Sequence, residues 1–228
     1  MKLFSAVADV LLPRYCKVCG RRLSVGEQHL CAPCLLRLPL LEYDGEHICR
    51  TEELLLGVTP LVHAASLFRY EKESDYRKIL YHLKYYDHPE VGRYLAACAA
   101  LRLREKGFFD GIDLIVPVPL SGRKLRARGY NQCDFIAEGL SQVTGIAIER
   151  GAVSRRVSNQ VQAKKGRIQR WSNAEGIFSV TDASRLDGRH LLVVDDVITT
   201  GATVCSLIDT ISAAADVRVS VFTLAVAE

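Results

Sequence analysis

No stretch of this 228-residue chain approaches the ~20 consecutive apolar residues that a membrane-spanning helix requires, which excludes a transmembrane protein. Internal repeats and low-complexity runs are also missing, so a repeat array is not expected. The opening MKLFSAVADVLLP lacks the charge, length and cleavage pattern of a secretory signal, having only Lys2 in front and Asp9 inside. Leu3, Phe4, Val7, Val10 and Leu11 fall instead at helical spacing before Pro13. They read as a short amphipathic helix that docks on the protein's own core in preference to a membrane surface. A cytoplasmic protein is expected. Hydrophobic residues make up 49% and charged residues 25%, an ordinary globular balance that excludes a mostly disordered chain. The length suits one core domain with a small appendage.

Cysteine is plentiful. Of eight, Cys16, Cys19, Cys31 and Cys34 form two C-x-x-C pairs eleven residues apart, while Cys49, Cys98, Cys133 and Cys205 are scattered. A secreted disulfide scaffold would not be distributed in this way. Four sulfurs on two tight turns suit a closed tetrahedral zinc site, where the metal replaces a core the segment is too short to build. A redox dithiol is the competing reading, and His29 is a fallback ligand. A closed four-cysteine site leaves no open position, so its role is structural.

The net charge of +4 conceals a segregation. Ser121 to Asn173 holds eleven basic residues against three acids, on a body that is otherwise acidic. Such a segment implies an anionic partner, a polyphosphate or a nucleic acid, unless it is merely a solvated basic face.

Along the chain, a cysteine module (about Tyr15 to Pro39) and an acidic connector through Gly57 precede alternating strand and helix patterns. The division expected is 1–57, with helix, metal module and connector, and 58–228, one α/β domain. Strands are expected over Leu61–Tyr70, Asp113–Leu120, His190–Asp196 and Val217–Val226. Helices are expected from Ser74, from Glu90, over Gln132–Val143 and over Ala202–Ala214. Short continuous apolar runs separated by helices predict a mainly parallel sheet, which places ligands at the carboxyl ends of its strands.

The most informative run is LLVVDDVITTGAT. Leu191 to Val194 lead into Asp195 and Asp196, then Thr199, Thr200, Gly201, Ala202 and Thr203 open a helix. Gly201 permits a tight turn, and the amides and hydroxyls of Thr199–Thr203 form a phosphate cradle. The loop is neither G-x-x-x-x-G-K-[ST] nor G-x-G-x-x-G. Two carboxylates beside a phosphate site must face hydroxyl donors, and vicinal ribose hydroxyls are the natural ones. A second run, PVPLSGRKLRARGYNQ, places Ser121 and Gly122 in a turn at a strand end, followed by Arg123, Lys124, Arg126 and Arg128. Amides and cations there suit a diphosphate. Asn131 and Gln132 either bind a ligand or cap the next helix.

VVDDVITTGAT resembles the phosphoribosyl-diphosphate (PRPP) motif of type I phosphoribosyltransferases. With the cysteine quartet, HLKYYDHPEVGRYLA (His82–Ala96), PVPL, RGYNQ (Arg128–Gln132) and the spacing of Gln162, Arg170, Asn173 and Phe178, nearly the whole chain resembles the ComF family of competence-associated proteins. The resemblance implies the type I phosphoribosyltransferase fold, with Val153–Asn173 as an arm beside the cleft. It implies that Asp195 and Asp196 meet the ribose hydroxyls, Thr199–Thr203 the 5-phosphate, and Ser121–Lys124 the diphosphate. It also implies Mg²⁺ bound with PRPP, and an association with DNA uptake and its machinery.

Two functions follow. One is Mg²⁺-dependent phosphoribosyl transfer from PRPP. The other is a non-catalytic PRPP-sensing or single-stranded DNA-binding module, using the same pocket and the cations Arg128, Lys164, Lys165, Arg167 and Arg170, with Gln162 nearby. Tyr130 and Trp171, interleaved with those cations, suit base stacking, although core packing is the commoner role of a lone tryptophan.

Overall fold

The apolar runs become strands buried on both faces, which is why they read as continuous and not alternating. The computed structural model describes residues 13–85, 88–156 and 176–227. The helix expected over Leu3–Leu11 and the arm beyond Arg156 as far as residue 175 lie outside the described residues. In chain order the described strands are β1 (Ala64–Tyr70), β2 (Leu114–Pro117), β3 (Ala147–Ile148), β4 (Val153–Arg155), β5 (Phe178–Val180), β6 (His190–Ile198) and β7 (Arg218–Ala227). Five of them form one sheet in the order β1-β7-β6-β2-β3, every pair parallel. β4 and β5 pair antiparallel apart from it.

The helices are α1 (Ala32–Leu36), α2 (Arg50–Glu53), α3 (Arg77–Tyr85), α4 (Glu90–Arg104), α5 (Gly122–Arg128), α6 (Gln132–Thr144) and α7 (Ala202–Ser212). Side chains alternate across the central strand β6. Leu192 and Val194 join the core with Leu95 and Ala96 of α4 and Ile136 and Leu140 of α6. Leu191 and Val193 join the opposite core with Val204, Leu207 and Ile208 of α7. The close approach of α4 to α6 depends on Gly139, where a Cβ would lie 2.2 Å from the Arg93 carbonyl oxygen. The cysteine module packs on the α4 side, since Val18, Leu23, Leu30 and Leu38 belong to the same core. Tyr76 Oη donates to the Cys34 carbonyl at 3.0 Å, and Lys78 Nζ to that of Val18 at 3.1 Å.

Several boundaries differ from expectation. α3 starts at Arg77 because the Ser74 carbonyl is taken by the Arg77 amide in a tighter turn, 3.1 Å. β2 ends at Pro117, since prolines 117 and 119 cannot donate to a ladder. The turn expected at Ser121–Gly122 is the start of a helix, α5, with the Ser121 hydroxyl accepting from the Lys124 amide at 3.5 Å. β6 runs two residues beyond Asp196, pairing with β7 as far as Ile198↔Val226. Both acids therefore sit within the sheet and not after it.

Candidate phosphoribosyl and metal sites

Beyond Ile198 the chain turns through Thr199, Thr200 and Gly201 into α7. Gly201 is the residue before the helix, with φ +78°, and as the cap residue it contributes no side-chain hydrogen bond to the amides that follow. Such a helix start offers several N–H groups to an anion. Asp195 and residues 197–204 line one shallow depression there, which brings Thr199, Thr200, Gly201, Ala202 and Thr203 together as expected. Thr200 Oγ1 accepts from the Ala202 amide at 3.5 Å.

The two carboxylates are not the exposed pair that a strand end suggests. They leave β6 on opposite sides. Asp195 Oδ1 accepts from the Asp196 amide at 2.8 Å and from the buried Cys133 thiol at 3.4 Å. Burial, and then the neighbouring Asp196 charge, push the Asp195 carboxyl up to about 7. Asp196 is 3% exposed, and its Oδ2 lies 2.9 Å from Lys84 Nζ of α3. Burial opposes the charge on Lys84, but Asp196 and then Asp195 outweigh it and hold the ammonium above the ordinary lysine value.

The cations of α5 face the same region. Partial desolvation, then the charges of Arg155, Arg128 and Lys84, lower the Lys124 pKa, while Asp196 raises it. Arg155 of β4 lies over the Phe178 ring, 5.2 Å from its centroid, and feels the Asp195 charge. Lys84, Lys124 and Arg155, from three elements, thus stand near the two carboxylates, with Arg128 close to Lys124. Arg123 is exposed on α5, Ser121 caps the helix and Gly122 is its first residue.

The rest of RGYNQ is largely engaged in structure. Arg128 donates to Gln132 Oε1 and lies over the Tyr85 ring at 5.5 Å. Tyr130 Oη donates to the Leu83 carbonyl at 2.9 Å, and its ring meets Phe135 edge to face. Asn131 caps α6, accepting from the Cys133 amide at 3.3 Å and donating to the Val118 carbonyl at 3.2 Å. Gln132 is buried. Gln162, Lys164, Lys165, Arg167, Arg170, Trp171 and Asn173 lie outside the described residues.

Sequence reasoning missed Lys84 and the place of Cys133. Lys84 stood inside the family-like stretch His82–Ala96 but had no motif of its own. Arg155 was grouped with the arm, and only the β4–β5 pairing carries it to the carboxylates.

The second site is local. Sulfurs of Cys16, Cys19, Cys31 and Cys34 all lie within 4.8 Å of one another, a group that could hold one metal ion. Burial raises the Cys16 pKa, but the amides of Cys19, Cys31 and Val18 outweigh it and bring the thiol down to about 7, whereas burial leaves Cys31 and Cys34 raised. His29 lies outside the group, its ring 5.6 Å from that of Tyr94.

No family model matches the chain. Among curated proteins it is 26% identical to DNA utilization protein YhgH of Escherichia coli K12, over 84% of this chain and 75% of that one. It is 28% identical to competence protein F of Haemophilus influenzae over 83% and 74%, and 33% identical to competence protein ComFC of Bacillus subtilis over 43% and 38%. Similar solved structures include a purine phosphoribosyltransferase from Pyrococcus horikoshii, 18% identical with a TM-score of 0.38 over 58% of this chain and 74% of that one. Another is the glutamine PRPP amidotransferase of B. subtilis, 17% identical with a TM-score of 0.41 over 62% and 30%. The chain spans under a third of that second structure. The chain thus carries a five-stranded parallel sheet with flanking helices and is similar over most of its length to a DNA utilization protein and a competence protein.

Proposed function

We propose that the chain binds PRPP through the loop after β6 and transfers its phosphoribosyl group, in a setting of DNA uptake. The observation that supports this most is the glycine-capped start of α7 sharing one depression with Asp195, beside the cations Lys84 and Lys124. The helix amides suit the 5-phosphate, the carboxylates suit vicinal hydroxyls, and the cations of α5 suit the diphosphate. In the transfer, the bond from the anomeric carbon to diphosphate breaks and diphosphate leaves with the electron pair. The acceptor supplies the pair for the new bond and loses a proton. The chain's part is to orient the ribose and compensate charge. Asp195 and Asp196 are the oxygen donors here, and Lys84 already stands against the second, so Mg²⁺ fits as a companion of the diphosphate more than as a resident ion. Bound in that way it would neutralise charge on the leaving group.

The test is calorimetric titration of PRPP with Mg²⁺, together with an assay of diphosphate release. Wild type should bind, and Asp195→Asn should bind at least about tenfold more weakly, having lost one charged acceptor. Failure of wild type to bind PRPP would overturn the reading.

The quartet reads as a structural zinc site, supported by the convergence of four sulfurs. A module of residues 1–57 would then serve a domain of 58–228. A second function, single-stranded DNA binding by the same pocket and arm, is supported by the basic segment and by the names of the relatives. Competition between PRPP and an oligonucleotide would show whether the two share the site.

A further inference from the structure

Lys84 poses a problem for the site as described. Its ammonium lies 2.9 Å from Asp196 Oδ2, on the carboxylate that ribose hydroxyls are to meet. An ammonium and a hydroxyl donor compete for the same oxygen lone pairs. The lysine cannot simply withdraw to solvent with its helix, because α3 is fixed along its length. Tyr76 and Lys78 tie its start to carbonyls of the cysteine module, and the Leu83 carbonyl accepts from Tyr130. Leu83 itself is fully buried. Only the four-carbon side chain is free to swing.

Its surroundings say where it would go. Lys84 is close enough to Lys124 for the two charges to be felt, and Lys124 is also crowded by Arg128 and Arg155. Three cations, Lys84, Lys124 and Arg155, face two acids, with Arg128 near Lys124, so the group has a surplus of positive charge that an anion would balance. A diphosphate entering among them would offer the ammonium new acceptors while the hydroxyls of the same ligand took over the carboxylate.

We propose that Lys84 is an exchangeable diphosphate ligand, paired with Asp196 in the free protein and handed to the diphosphate when PRPP binds. The proposal rests on the PRPP reading of the site. It makes the ion pair a sensor of the diphosphate end of the substrate. PRPP supplies an acceptor for the displaced ammonium, whereas ribose 5-phosphate has to break the pair without compensation.

Calorimetric titrations of PRPP and of ribose 5-phosphate into wild type, Lys84→Met and Lys84→Arg test it. Lys84→Met should bind PRPP about tenfold to a hundredfold more weakly, the loss of one charged hydrogen bond, and bind ribose 5-phosphate equally well or more tightly because the carboxylate is uncovered. Lys84→Arg, which keeps the charge, should recover most of the PRPP affinity. Should methionine at this half-buried position prevent folding, Lys84→Gln carries the same comparison. Equal weakening of both ligands, or of neither, would make Lys84 a static brace and overturn the proposal while leaving the PRPP site intact. Wild type that binds neither ligand would instead overturn the reading on which the proposal rests.

Discussion

The cysteine quartet is gathered from 19 consecutive residues by two tight turns, whereas the charges around Asp195 and Asp196 come from α3, α5, β4 and β6, spread over more than a hundred residues. In the first region a ligand set is built by spacing alone, and its burial follows from packing against α4. In the second, each group is held by the element that carries it, and the set exists only when the sheet is formed. The comparison teaches that a local site tolerates damage elsewhere but fails outright with one of its own ligands. A distributed site should weaken by degrees.

The sharpest way to break this contrast is at the quartet. Cys16→Ser should abolish metal binding and unfold the module, since structural zinc contributes about 10–16 kcal/mol in small domains. Metal analysis and hydrogen exchange over residues 14–38 would show it. A folded, metal-free wild type would remove the zinc assignment. At the distributed site the largest effect expected is from Asp196→Asn. Breaking a buried ion pair costs up to about 3–5 kcal/mol, towards the lower end here because Lys84 retains some exposure. This is also why a double asparagine variant would confuse binding with stability, and why Asp195→Asn alone is the better probe. Denaturant titration measures the difference.

Gly139→Ala should cost about 1–3 kcal/mol, because its Cβ meets backbone and not a yielding side chain. PRPP affinity should then fall only as far as α6 shifts Cys133 and Asn131. A smaller effect is in pH. Asp195 is raised in the folded state, so the folded chain binds more protons than the unfolded one between about pH 4 and about pH 7. Its contribution to stability is therefore full below pH 4 and is lost as pH rises towards 7, by at most about 1.4 kcal/mol per unit. Asp195→Asn should remove that slope in denaturation at a series of pH values. The smallest effect concerns the arm. If its cations meet single-stranded DNA, replacing Lys164, Lys165 and Arg167 with Ala should flatten the log–log salt plot by about 0.7 per lost phosphate contact. The loss should be alike for all sequences. An unchanged slope would separate the arm from DNA.

The sequence by itself determined whatever depends on neighbours along the chain. The C-x-x-C pairs converge as their spacing requires. The runs at Leu191–Val194 and Val219–Val226 are buried parallel strands because they are almost wholly apolar, Ser220 and Thr223 being the exceptions. Gly201 marks the start of α7 because a positive φ is needed there. The tertiary structure decided the rest. Alternation along β6 sent Asp195 towards Cys133 and Asp196 towards Lys84, so two adjacent acids read together as one ribose grip are two half-separate groups, one of them already paired. Asn131 became a helix cap and Tyr130 a brace, because Val118 and Leu83 present carbonyls where the chain passes. Lys84, 111 residues before Asp195, has no spacing to betray it. Its role depends on how α3 docks against β6, and docking is set by the burial of Ile79, Leu80 and Leu83 and not by the lysine itself.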